Sequence, residues 1–386
     1  HPAMSVYSII DYGRMLQDEA RTGAYVEALE RHVTSDSVVL DLGPGIGFFA
    51  VVAARLGARR VYGIDRSELV EIGRQIAARN GVADRVELIR GDSLELEMPQ
   101  RADLMVCDVR GILPWGLGSV PAVIDARRRL LTDGAVILPR RDFLYAAVTE
   151  QAEDYGEQTA VWRERPFEVD IEPGRDLVVN LRRRVRILPE QLLGRPAEVA
   201  RLDYATVDSS DMAGSVELAI ERSATAHGLA VWFDCEVHDD LGFSNRPGNE
   251  LVYKQVLFPW SEPVALEAGD RVAVDLAADF VNGEYVWRWS SRVERDGRVL
   301  DEFRQSNFFG VFPSRESRAA RSAEHRPGLS KRGEAVVAAL ERMRSGDDLA
   351  RIAALLVERF PELFETVGQA QGFAGELSIR YGRPIG

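Results

Sequence analysis

Cysteine is nearly absent from this chain of 386 residues: only Cys107 and Cys235 occur, far apart and in apolar surroundings. That scarcity argues against a disulfide framework or a cysteine metal site, and it fits a reducing cytoplasm, the location expected here. Histidine is scarce too, and the five present show no metal-ligand spacing. No run approaches the about 18 uninterrupted apolar residues of a membrane span, and no basic flank followed by an apolar run opens the chain. Neither a span nor a signal peptide is therefore expected. Basic residues are outnumbered, 48 Lys and Arg against 61 Asp and Glu, for a formal charge of −13. This balance disfavours nucleic acid as a partner but leaves room for a cationic peptide or a small molecule.

Apolar residues make up 46% of the chain, enough to fill the cores of two or three domains. Residues 24–140 alternate strand-like runs (Val38–Leu42, Val61–Ile64, Val86–Ile89, Leu104–Cys107, Ala135–Leu138) with helical patterns (Phe48–Leu56, Leu69–Arg79, Val120–Leu131). Such alternation predicts βαβ units on a parallel sheet. From about Phe143 to Phe312 alternating runs such as Leu229–Val237, Arg271–Phe280 and Glu284–Val293, broken by Asn282-Gly283 and Asp296-Gly297, predict antiparallel sheet in a barrel or sandwich. The polar stretch Ser314–Gly328 reads as a linker, and Ser330–Arg344, Leu349–Phe360 and Leu363–Tyr381 read as helices with one apolar face each.

The segment from Val38 to Asp65 reads strand, glycine turn, helix, strand, acid. Its glycines, Gly43, Gly45 and Gly47, are spaced G-x-G-x-G rather than the G-x-G-x-x-G of a dinucleotide site. Asp41 at the strand end suits a ligand with an ammonium group, not one with two phosphates. Asp65 ends the next strand, followed by Arg66, where it can accept bonds from both ribose hydroxyls. Asp92 and Ser93 follow the third strand, where the adenine edge belongs. A glycine turn alone can be a tight connection and nothing more; the acids at successive strand ends point to S-adenosylmethionine.

Met15–Thr22 (MLQDEART), the glycine turn, Gly57–Asp65, Leu130–Arg140 and Tyr253–Pro259 together resemble the protein arginine methyltransferase family, in its order and spacing, over roughly Tyr7 to Phe312. The resemblance implies an α/β fold: a Rossmann-type class I methyltransferase domain at 4–141, then an antiparallel β-barrel domain at 142–313, with a dimerisation arm at about 163–193 and a homodimer. It implies that Arg21 clamps the cofactor carboxylate, a bidentate task suited to guanidinium, and that Met15 lies near the methyl group. The family's acid at the adenine amine falls at Leu94, leaving Asp92 or Ser93 for that contact.

The resemblance breaks at the acceptor. Family members hold the substrate guanidinium with two glutamates; here the first falls at Asp108 and the second at Leu117, and the Thr-His-Trp loop reads Leu251-Val252-Tyr253. A guanidinium stays charged below pH ~12, so a site lacking one of two acids compensates it poorly. The expected acceptor is therefore a nitrogen or oxygen of a small metabolite or peptide, not ordinary protein arginine. Asp108 and Tyr12 are the candidate catalytic residues, Asp108 as proton acceptor or positioning group. Arg110, Trp115 and Tyr253 are candidate acceptor contacts. Each has a plainer reading: Asp108 as a loop cap, Tyr12, Trp115 and Tyr253 as packing aromatics. Two alternatives stand beside the leading one, an arginine methyltransferase with a rebuilt acceptor site and a catalytically silent cofactor-binding scaffold.

Residues 329–386 extend beyond the family's usual end. The pattern Leu329–Pro361 faintly resembles peptide-binding winged-helix domains of the PqqD type, but its plainer and preferred reading is a helical bundle that packs on the barrel or supports a dimer.

Overall fold

The computed structural model describes residues 7–310 and 324–382. Contacts divide the chain into Ala3–Phe312 and a C-terminal unit that begins at Pro313.

The larger unit opens with helices α1 (Ile9–Gln17) and α2 (Glu19–His32). Ser8 and Asp11 form a capping box that starts α1, and Asp18 ends it while capping α2. Then β1 (Val38–Leu42), α3 (Phe48–Arg55), β2 (Arg60–Asp65), α4 (Val70–Arg79), β3 (Val86–Arg90), β4 (Ala102–Cys107), α5 (Ser119–Arg129) and β5 (Leu131–Leu138) build a parallel sheet in the order β3-β2-β1-β4-β5. The central strand β1 is buried along its whole length, as its run VVLDL requires, and Asp41 is its one polar residue. Strand order reverses at β1, and the crevice at its carboxyl end is where open α/β sheets hold ligands.

The chain leaves this sheet through Leu138–Pro139 and enters β6 (Arg141–Thr149), which is followed by α6 (Ala152–Thr159). Short helical turns fill much of residues 160–182, among them α7 (Arg175–Val178). In this segment Phe167 is 99% exposed and Val161 and Val169 are exposed too. The remaining strands are β7 (Arg183–Val185), β8 (Ala197–Asp203), β9 (Met212–Ala219), β10 (Ala224–His238), β11 (Leu241–Ser244), β12 (Gln255–Leu266), β13 (Arg271–Val281), β14 (Glu284–Arg295) and β15 (Arg298–Ser306). They form two antiparallel sheets, one ordered β7-β12-β10-β6-β8 with β11 on β10, the other β15-β14-β13-β9. Alternation along β14 turns Trp287, Trp289 and Val293 inward, where Phe258 meets both tryptophans edge-on and Trp260 donates its indole N–H to Ser291. One hydrophobic core runs through the parallel and antiparallel parts. The β13–β14 turn is Asn282-Gly283, both left-handed, the geometry that matches strand twist in a tight hairpin.

The C-terminal unit comprises α8 (Lys331–Arg344), α9 (Leu349–Arg359) and α10 (Val367–Tyr381), packed on a core of their own that includes Ala339, Ile352, Leu356, Phe360 and Phe364. Asp348 caps α9. Residues 324–382 contain no strand, so they form a helical bundle and not a winged helix. Most of the expected linker, 314–323, lies outside the described residues.

Candidate functional site

The glycine turn between β1 and α3 needs residues without a Cβ for two separate reasons. Gly43, Gly45 and Gly47 all have positive φ, and a Cβ at Gly45 would lie 2.2 Å from the Tyr12 ring, while one at Gly43 would meet the Val109 side chain. The turn is thus pressed between α1 and the loop after β4, and a cavity of about 470 Å³ opens beside it. This is the size of a small-molecule site. Met15, Arg21, Asp41, Gly43, Asp65, Arg66, Ser93, Asp108 and Tyr12 all line it.

Asp41 lies at the bottom. Gly47 gives α3 no side-chain cap, and Asp41 supplies one from β1 by accepting the Ala50 N–H at 2.9 Å. Burial pushes its carboxyl up to about 8, with Asp65 and Asp108 nearby adding to the rise. A carboxyl held this way is relieved by a cationic ligand group, so it fits the ammonium of S-adenosylmethionine. Asp65 accepts the Gly45 N–H at 2.8 Å and the Ser67 N–H at 2.7 Å, which fixes its rotamer and leaves a lone pair on each oxygen for a sugar hydroxyl. Arg66 pairs with Asp92, and Asp92 is not among the cavity-lining residues, whereas Ser93 and Leu94 are.

On the other side of the cavity Asp108 is caged. Its Oδ2 pairs with Arg21, its Oδ1 accepts from Arg110 Nη1 at 2.9 Å, and the Tyr253 hydroxyl lies 2.8 Å from Oδ2. Burial would raise its pKa, but the two guanidiniums and the phenol outweigh burial and hold it below the usual carboxylate range. A carboxylate so stabilised is a poor proton acceptor, an arrangement that suits positioning better than base catalysis. Arg21 also donates to Tyr253 at 3.0 Å, to the Met15 carbonyl at 3.2 Å and to Thr22. Of its five N–H groups, one on Nη2 is left for a ligand carboxylate.

Three residues expected to meet the acceptor lie behind the cavity wall instead. Arg110 is 1% exposed, because its guanidinium is consumed by Asp108, Asp142 and Tyr25 and sits against the rings of Phe233 and Phe243. Trp115 is 3% exposed and belongs to the main core. Tyr253 is buried and reaches the site only through Asp108 and Arg21. Leu117, in contrast, lines the cavity while 55% exposed, in a left-handed conformation with its side chain against Gly111. An apolar group thus stands where the resemblance would place a second acid.

Sequence reasoning missed Tyr7, Phe280 and Gly283, which also line the cavity. The Asn282-Gly283 turn signalled a hairpin, but nothing in the sequence said that its tip reaches the N-terminus of α5. It also missed Asp142 and Tyr204, buried partners of Arg110 from the antiparallel part.

Comparison with known proteins finds a match in each half of the larger unit. Residues 20–113 match the family described as ribosomal protein L11 methyltransferase (PrmA), and residues 140–282 match the arginine methyltransferase oligomerization subdomain. Protein arginine N-methyltransferase 1 of Schizosaccharomyces pombe is 28% identical over 273 residues, covering 67% of this chain and 78% of the relative. Protein arginine N-methyltransferase 1 of Saccharomyces cerevisiae is 26% identical, covering 68% and 78%. Among solved structures, the Trypanosoma brucei PRMT1 enzyme–prozyme heterotetrameric complex with AdoHcy superposes with a TM-score of 0.69 at 23% identity, over 76% of this chain and 97% of that one. Arabidopsis thaliana protein arginine methyltransferase 10 does so at 0.69 and 19%, over 78% and 98%. These likenesses of structure concern the fold.

Proposed function

We propose that this S-adenosylmethionine-dependent methyltransferase, which is similar to the protein arginine methyltransferase family, methylates a neutral nitrogen or oxygen of a small metabolite or peptide rather than ordinary protein arginine. Asp41, Asp65 and Arg21 hold the ammonium, ribose and carboxylate of the cofactor, which when bound supplies an electrophilic methyl group on a sulfonium. Tyr12, Met15 and the walls around Leu117 keep water from that end of the cavity.

One observation carries the choice of acceptor: both oxygens of Asp108 are engaged by the chain's own guanidiniums, and Asp142 is bound to the second of them. A guanidinium acceptor would add a positive charge to a group of carboxylates already neutralised, with Leu117 in place of a further acid. Leaving such a charge uncompensated in a buried site costs on the order of 1–3 kcal/mol or more. A neutral amine or hydroxyl avoids that cost. Tritiated S-adenosylmethionine with arginine-rich peptides is expected to give only background incorporation. Incorporation at the rate of an established arginine methyltransferase run in parallel would reject this reading. The names of the relatives favour that second reading, arginine methylation with a rebuilt acceptor site.

The oligomerization-subdomain match and the exposed Phe167, Val161 and Val169 support a homodimer, with the segment at about 163–193 as its arm.

A further inference from the structure

The group of charges behind Asp108 extends well beyond the cavity. Tyr204 donates its hydroxyl to Asp142 Oδ2 at 2.6 Å; Arg110 donates Nε to the same oxygen at 3.0 Å, Nη1 to Asp108 at 2.9 Å and Nη2 to the Tyr25 hydroxyl at 3.0 Å. Arg21 pairs with the other oxygen of Asp108. Asp142 is the second residue of β6 and Tyr204 follows β8, so both come from the antiparallel part. Arg110 follows β4 in the parallel part. Arg21 and Tyr25 lie one turn apart on α2, and therefore face the same way. Arg110 thus reaches the helix carrying Arg21 by two routes, one through Asp108 and one through Tyr25.

Asp142 is 0% and Tyr204 2% exposed, Arg110, Tyr25 and Arg21 are buried with them, and Asp108, at the cavity wall, keeps its side chain almost fully covered. Burial pushes the Asp142 carboxyl up, while Arg110 and the Tyr204 hydroxyl act against it. In such surroundings a charge stays put only while its partners do. Remove the charge of Asp142, and Asp108 becomes the sole carboxylate neutralising Arg110. Asp108 is then drawn towards Arg110 and away from Arg21, and Arg21 loses the group that aims its last free N–H into the cavity.

We infer that Asp142 and Tyr204 are positioning residues for the amino-acid end of the cofactor, acting from the antiparallel sheet through Arg110 and Asp108 on Arg21. The inference rests on the reading of the cavity as an S-adenosylmethionine site. Neither residue lines that cavity, and both act through others.

The test compares two ligands by calorimetry on the full chain. S-adenosylhomocysteine carries the amino-acid end; 5′-methylthioadenosine keeps the nucleoside thioether and lacks that end. Asp142→Asn is expected to weaken S-adenosylhomocysteine about tenfold while leaving 5′-methylthioadenosine within twofold. Tyr204→Phe removes only the 2.6 Å hydrogen bond and is expected to shift the same ligand alone, by about two- to threefold; it serves as the test if Asp142→Asn does not fold. A parallel loss for both ligands means that the residues merely support the fold and overturns the inference. Unchanged or tighter S-adenosylhomocysteine binding overturns it as well. Wild-type protein that takes up neither ligand overturns the cofactor reading itself, and the inference with it.

Discussion

Asp41 shows how far a single carboxyl can be bent by its surroundings. Its value of about 8 reflects burial first, opposed by only one backbone N–H. An ammonium-bearing ligand requires the ionised form, so below pH 8 binding must expel a proton. Affinity for S-adenosylhomocysteine should therefore climb as pH rises from 6 to 8, by up to about tenfold per unit, and level off above. Asp41→Asn should bind weakly and with a flat profile. Calorimetry across that range checks both; a flat wild-type profile would mean that Asp41 does not meet the ammonium. Asp41, Asp65 and the glycines were legible as candidates because they stand at strand ends. Arg110 was legible only as a charge beside Asp108. Its partner Asp142 lies 32 residues away, and Arg21 lies 87 residues from Asp108. No local periodicity reports pairings at such separations.

At the level of elements, the decisive contact is α1 lying over the glycine turn. Gly45→Ala would drive a Cβ into the Tyr12 ring and place alanine at φ +54°. The turn or α1 must move, and S-adenosylhomocysteine affinity is expected to fall at least tenfold, about 1.4 kcal/mol. Gly57→Ala is the control: its φ is +109°, but open space surrounds it, so stability falls and ligand affinity does not. Equal loss of affinity in both would remove the claim that α1 presses on the turn. The strands themselves fall close to where pattern predicts them; Val38–Leu42 coincides, and Arg271–Val281 is one residue longer than expected. Burial on one or both faces writes itself into sequence at period two or as an apolar run, which is why these elements are readable. The placement of Trp115 was not, since an aromatic in a loop fits a pocket wall and a core equally well until packing chooses.

Across the whole molecule, the exposed Phe167 stands out as apolar surface that the proposed homodimer would cover. Its ring is unsupported and its backbone is left-handed at φ +52°. Sedimentation should show a dimer of the full chain, and Phe167→Asp should shift it towards monomer without altering the far-ultraviolet spectrum. A monomeric wild type would set aside the arm assignment. The C-terminal bundle has a core of its own.

Sequence alone determined the alternation of strands and helices up to Leu138 and the chemistry expected of the cofactor, because these are written in local spacing and residue type; the missing second acid at Leu117 was visible only through the family resemblance. Tertiary structure decided what Asp108 can do. Its charge is spent on Arg21 and Arg110, and Arg110 is in turn held by an aspartate from another sheet. Electrostatic pairing in a buried site depends on distance in space, and only folding brings these groups within 3 Å of one another.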